Sequence, residues 1–386
     1  PDAPDSECAD EVDETVLDDS EETVDGQVFP IQSDTVTSYS VNSLCLLPRS
    51  AEFTPPDAIV DTTEFAGDGE YVIGYSESGV QGTSDAWIAA WAEYQASQED
   101  SVSRFVLRNA NNNASQQVRD IDSLVYDEMV DVVIINPIEQ AASNMTDLEE
   151  TIQEVIELGI PVILVGNRTA NPVYTTYVGA DTYELGCVMA QELIALTGGE
   201  GSIARVHGYD LSVADASFKA GAGDVFNNYP NILFTVEGPT NYSRDTATTL
   251  TRRLRVVGIL GYVSEITMGA QDGLASQGAP YATFVSDHRV DLVRLAVNND
   301  IDGVFVRSSS QMGATAVQTA IAILQGEEVS QFVPVEPQLI HTDELVDYDL
   351  ENAPANAYLG DWQDLPEEYY PVDLEARILN ILYSIP

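Results

Sequence analysis

From Glu70 onward the apolar residues fall into two alternating patterns. Short continuous runs, as in "EYVIGYS", "VDVVIINP" and "IPVILVGN", have the length and β-branched content of strands covered on both faces. Between them lie stretches of about 10–15 residues whose apolar positions recur at helical spacing, as in "SDAWIAAWAEYQASQ", where Ser84 or Asp85 is the expected cap, and "DLEETIQEVIELG". The fourth strand ends at Gly166, Asn167 and Arg168. The alternation then restarts with the helix "DTYELGCVMAQELIALTGG" and continues through "GSIARVHG", "NILFTVEGP", "VVGILGYVS", "PYATFVSD" and "IDGVFVRS" to the helix "QMGATAVQTAIAILQGE". Strands that alternate with helices in this way predict right-handed crossovers and parallel sheets. Two consecutive series predict an α/β protein of two doubly wound lobes.

The ends of the chain read differently. Residues 1–26 carry twelve acidic residues and no basic one, and a segment so charged and so poor in aliphatics is expected to be a solvated tether. Residues 27–69, with four prolines, form an irregular lead-in. Residues 336–386 hold a return segment and an acidic tail that from residue 343 is rich in tyrosine, with Trp362 among them. A tail this aromatic either packs on a lobe or docks a partner.

Charge narrows the function. With 15 basic against 64 acidic residues the chain carries a net charge of −49, which would repel a phosphate backbone or an anionic bilayer, so nucleic acid is not an expected partner. Lys219 is the only lysine. This balance fits a surface adapted to high salt, where screening suppresses self-repulsion; an acidic extracellular protein without halophily is the alternative. No run of 18 apolar residues is present to span a membrane. A start at Pro1 fits either a cytosolic protein that has lost its initiator methionine or a mature product after signal removal, and favours processing. Cys8 and Cys45 are candidates for a pair, Cys187 reads as a small core residue, and the sequons at Asn113, Asn144, Asn167 and Asn241 are compatible with a glycoprotein.

In open α/β sheets ligands sit beyond the carboxyl ends of the parallel strands. Arg168 occupies such a place, and so do Ser76, Asn136, His207 and Asp287. With the phrases "VVIINPIEQAA", "GIPVILVGNR", "YVGADTYELGCVMAQEL" and "AIAILQGEEV", the stretch Glu70–His341 resembles the type I periplasmic solute-binding proteins, above all the sugar-binding members typified by ribose-binding protein. The resemblance implies an N-terminal lobe of residues 70–169 plus 307–335, a C-terminal lobe of residues 170–306, and a three-segment hinge near Arg168–Pro172, Arg307 and Val333–Pro337. It implies closure of the lobes on a sugar or polyol, delivery to an ABC-type permease, and an extracellular or periplasmic location, free or tethered through the N-terminus. By position it makes Arg168 with Asn167 the hydroxyl clamp, Trp87 and Tyr242 the stacking aromatics, and Asp287 a hydroxyl acceptor, with Asn136 and Ser264 beside them. Arg307 stands where the family usually has glutamine. Phe218 replaces a usual arginine, and Val263-Ser264 replaces an Asn-Asp pair. Two arginines facing each other would favour a sugar acid.

Each candidate has a plainer reading: Trp87 as core, Asp287 as a helix cap, Arg168 as the partner of Asp181, His207 as a structural hydrogen-bonding group. No metal-ligand spacing, cofactor motif or nucleophile elbow is present, so neither an enzyme nor a cofactor is expected. A structural or sensory surface protein that reuses the fold is the competing reading. Self-assembly would mark the structural case, and a transport receptor is expected to be monomeric.

Overall fold

The computed structural model describes Arg49 and residues 54–67, 69–79, 84–140, 142–210 and 212–371, all within one compact unit, Thr37–Pro386. The expected tether and the Cys8–Cys45 pair lie outside the described residues, as does the side chain of Arg307.

In the first lobe strands β1 (Tyr71–Glu77), β2 (Val102–Asn109), β3 (Val132–Ile135), β4 (Val162–Val165) and β5 (Thr176–Gly179) alternate with helices α1 (Ser84–Gln98), α2 (Ala114–Tyr126) and α3 (Thr146–Glu157). The second lobe contains α4 (Thr182–Thr197), β6 (Gly201–His207), α5 (Val213–Phe226), β7 (Ile232–Pro239), α6 (Arg244–Thr251), β8 (Gly258–Gly261), α7 (Ser264–Ala275), β9 (Thr283–Asp287), α8 (Val290–Asn299) and β10 (Gly303–Arg307). The chain then recrosses to α9 (Met312–Leu324) and β11 (Phe332–Pro334) of the first lobe, and returns with β12 (Gln338–His341) to the second. The first sheet has the order β11-β5-β4-β3-β1-β2 and is parallel throughout. The second has the order β12-β10-β9-β8-β6-β7, with only β12 antiparallel.

The strand pattern explains the layering. Every residue of β3 and β4 is buried, because side chains alternate between two covered faces. Val132 and Ile134 pack with α1 and α9, while Val133 and Ile135 pack with α2 and α3. In the second lobe α4 and α5 approach backbone to backbone. A Cβ on Gly186 would lie 2.1 Å from the Phe218 carbonyl oxygen, and one on Gly221 would lie 1.9 Å from that of Tyr183. Only glycine permits this contact.

Several expectations are corrected. The chain leaves the first sheet after Gly179, not near residues 168–172, because Thr176–Gly179 pairs in parallel with Ile163–Val165. Ser84 and Asp85 lie inside α1, not before it. Asp181 caps α4 through the Tyr183 and Glu184 amides and binds Arg49 at 2.6 Å. Cys187 is the buried core residue expected, and it is also disulfide-bonded, to a partner outside the described residues. One sulfur enters one such bond, so in a chain of three cysteines this bond and a Cys8–Cys45 bond exclude each other. Among the described residues no helix is long and apolar enough to cross a membrane.

Candidate ligand-binding cleft

The carboxyl ends of both sheets face one another, and the loops that leave them carry the polar groups. On the first lobe Asn136, which ends β3, is fully buried. Its side-chain amide donates to both Glu77 carboxylate oxygens, at 3.2 and 3.4 Å, and its carbonyl lies 3.5 Å from the Asn167 amide nitrogen. Asn167 also donates to the Pro137 carbonyl at 3.3 Å. Glu77 further accepts from the Ser78 hydroxyl at 2.8 Å and the Gly79 amide at 3.2 Å. Burial, then the negative charge of Asp85, push the Glu77 carboxyl well above the usual carboxylate range, against the pull of these hydrogen bonds. Asp85 is raised as well, by burial, against hydrogen bonds from Asn136 and Ser78. Arg168 is half-buried, and its charge opposes the rise that burial imposes on the Tyr174 and Tyr177 hydroxyls.

Glu139 crosses the cleft. It follows β3 on the first lobe, yet its carboxylate accepts from the hydroxyls of Ser212 and Tyr242 on the second. Burial raises its pKa to about 7; the two hydroxyls act against this, and the negative charges of Asp215 and Asp85 add to it. Ser212 also caps α5 through the Asp215 amide at 3.1 Å. Tyr242 holds a left-handed backbone, with φ of 58°, and its ring lies over Gly208, where a Cβ would come within 2.2 Å of the ring. Asp215, fully buried, sits 2.8 Å from His207 Nδ1 and 3.4 Å from the Lys219 ammonium.

At the rim Asp287 accepts from the Ser264 amide at 2.7 Å and from its hydroxyl. Ser264, almost fully buried, opens α7, so Asp287 supplies the cap that Val263 lacks. Burial raises the Asp287 carboxyl, while Ser264, His288 and Arg289 act against the rise. Trp87 is not a face offered to the cleft. It is 1% exposed, donates through Nε1 to the Asn356 carbonyl at 3.2 Å, and packs against Tyr370 with ring centroids 5.4 Å apart.

The structure therefore brings Asn136 and Asn167 together on one side and Ser264 and Asp287 on the other, with Tyr242 between the lobes. It turns Trp87 away to the tail. Sequence reasoning missed Glu77, Asp85, Glu139, Ser212 and Asp215. Glu77 and Glu139 stand at or just after strand ends, the same signal that marked Arg168. Phe218, in place of the expected arginine, is buried against Tyr262 with centroids 4.9 Å apart.

Two α/β lobes thus meet through a cluster of carboxyl, amide and hydroxyl groups. Residues 80–328 match the periplasmic binding protein domain family, and the chain belongs to it. Comparison with curated protein sequences gives no match. Among solved structures the chain is similar to an ABC transporter solute-binding protein from Bacillus halodurans C-125 with bound myo-inositol, at 20% identity and a TM-score of 0.65, covering 76% of this chain and 100% of that one. It is also similar to the binding component of the arabinose ABC transporter from Shewanella sp. ANA-3, at 19% identity and 0.63, covering 70% and 92%. A third similar structure is the fructose-binding periplasmic domain of a hybrid two-component system, at 20% and 0.61, covering 81% and 98%.

Proposed function

We propose that the chain is an extracytoplasmic receptor that captures a neutral sugar or polyol between its lobes and hands it to an ABC-type permease. The observation that carries the reading is the bridge from Glu139 to Ser212 and Tyr242. It joins the lobes through the kind of hydrogen bond a ligand hydroxyl makes, within reach of the charges of Asp215 and Asp85 and in the same region as Glu77 and Asp287. Sugar hydroxyls can both donate to and accept from carboxyl groups in either protonation state, whereas a carboxylate ligand can only accept. This set of groups favours a neutral ligand over the sugar acid that facing arginines would suit. Bound inositol and arabinose in similar structures support the ligand class. Membership of the family and a disulfide at Cys187, a bond of oxidising compartments, support the location.

No chemistry is required of the site. The ligand bridges both lobes, and its contacts in the closed state, absent in the open one, shift the equilibrium to closure. The test is a thermal-shift screen of inositols, pentoses, hexoses and their acids in low and molar salt. A ligand at a hundredfold excess over its Kd stabilises by about 2.7 kcal/mol. A hit among neutral compounds supports the reading; the absence of any shift in either salt overturns it.

A further inference from the structure

The segment that follows β12 does not end on one lobe. Its first part is fastened to the second lobe by backbone bonds: Val290 N to the Ala357 carbonyl at 2.9 Å, Asp291 N to Ala355 at 3.1 Å, and Leu359 N to His288 at 3.2 Å. Arg294 adds bonds to the carbonyls of Leu350 at 3.0 Å and Ala353 at 2.6 Å. Its last part lies on α1 of the first lobe. Asn356 takes the Trp87 indole, Tyr370 packs on Trp87, and Tyr369 meets the Tyr94 ring at 5.2 Å and donates to Ser97 at 3.0 Å. Between these anchors Asp361, fully buried, accepts from the Ser310 amide at 2.9 Å, where the chain recrosses between lobes. Tyr358, 6% exposed, feels the charges of Asp85 on one lobe and of Asp287 and Arg289 on the other.

We propose that residues 350–370 are a strap that fastens the two lobes across the rim of the cleft. Opening requires the strap to leave α1, and Trp87 acts on ligand binding as a positioning residue, through this strap. The physical reason is the partition of contacts. The anchor on the second lobe is built of backbone hydrogen bonds continuous with the α8 cap, whereas the anchor on the first is a face of aromatic side chains that can part without unravelling an element. Rigid-body separation would expose that face, so the ligand-free protein favours the closed arrangement. A ligand-contacting Trp87, by contrast, would owe nothing to Tyr369 or Tyr370.

The inference rests on the reading of the chain as a receptor whose lobes open, but its test needs no ligand. All three tryptophans, Trp87, Trp91 and Trp362, belong to the cluster where strap and α1 meet. Tryptophan emission of the full chain therefore reports on this contact. The ligand-free wild type is expected to emit as buried indole. The double variant Tyr369→Ala/Tyr370→Ala, which removes no residue from either sheet, is expected to shift emission to the red and raise the radius of gyration in small-angle scattering, with helix content by circular dichroism unchanged. Trp87→Ala read by scattering should give the same rise, and the triple variant no more than either, as residues of one contact are not additive. A double variant with native helix content and wild-type emission and radius overturns the strap. So does a binding defect in Trp87→Ala that the tyrosine variant does not share, for any ligand found by the screen. A failed screen with the expected emission shift would contradict the receptor reading and leave the strap standing.

Discussion

At the scale of single residues the cleft is governed by which carboxylates keep their charge. Glu139 has a pKa of about 7 when the lobes are closed on it, and would return to the ordinary carboxylate range once an opened cleft lets in water. The sign follows from linkage. A group whose pKa is higher in the closed state binds protons more tightly there, so its favourable contribution to closure is complete below the ordinary range and is lost as pH rises through about 7. Lobe closure, followed by small-angle scattering, should weaken from pH 5 to pH 8. Glu139→Gln, which cannot ionise, should flatten that dependence. Asp215 and Asp85 face the same carboxyl, and Asp85 is itself raised by burial, so any slope left in the variant belongs to the remaining carboxylates. Arg168→Ala is expected to weaken ligand binding about tenfold or more, the value of one or two hydrogen bonds from a charged donor. Calorimetric titration of the variant, its native helix content checked by circular dichroism, measures this. The position of Arg168 was legible because a cation after a buried apolar run is conspicuous in a chain of 15 basic residues. Trp87 was not legible as a tail contact, since an indole on a helical face looks the same whether it meets a sugar or a distant tyrosine.

At the scale of elements, the packing of α4 on α5 depends on two glycines that admit the opposing carbonyls. Gly221→Ala places a methyl group 1.9 Å from the Tyr183 carbonyl oxygen before relaxation, so the helices must separate. Overpacking of this kind costs about 1–3 kcal/mol, and chemical denaturation should show a lower midpoint with little change in slope. Elements with strong periodicity were legible in sequence: α3 spans Thr146–Glu157, close to the stretch 147–159 that its apolar spacing marks. The short strands were not. Thr176–Gly179, with threonine, tyrosine and glycine in four residues, carries no apolar run, and its pairing is set by the neighbouring β4. The same holds for Phe332–Pro334 and Gln338–His341, which are strands because sheet edges lie beside them. Missing β5 moved the expected crossing towards the N-terminus.

At the scale of the whole molecule, two doubly wound lobes were legible because the alternation of strand and helix restarts after Gly179. How the tail lies was not, because aromatic composition states that a segment packs and leaves the surface it packs on unspecified. Here it reaches both lobes. On the function proposed above, the carboxyl groups gathered between the lobes hold a neutral polyhydroxylated molecule. The most direct measurement is a calorimetric titration of the full chain with the best neutral sugar or polyol from the screen and with the corresponding sugar acid, at one pH and one salt concentration. The account predicts saturable one-to-one binding of the neutral compound and at least tenfold weaker binding of the acid. Tighter binding of the acid, or no heat from any neutral compound, would contradict it.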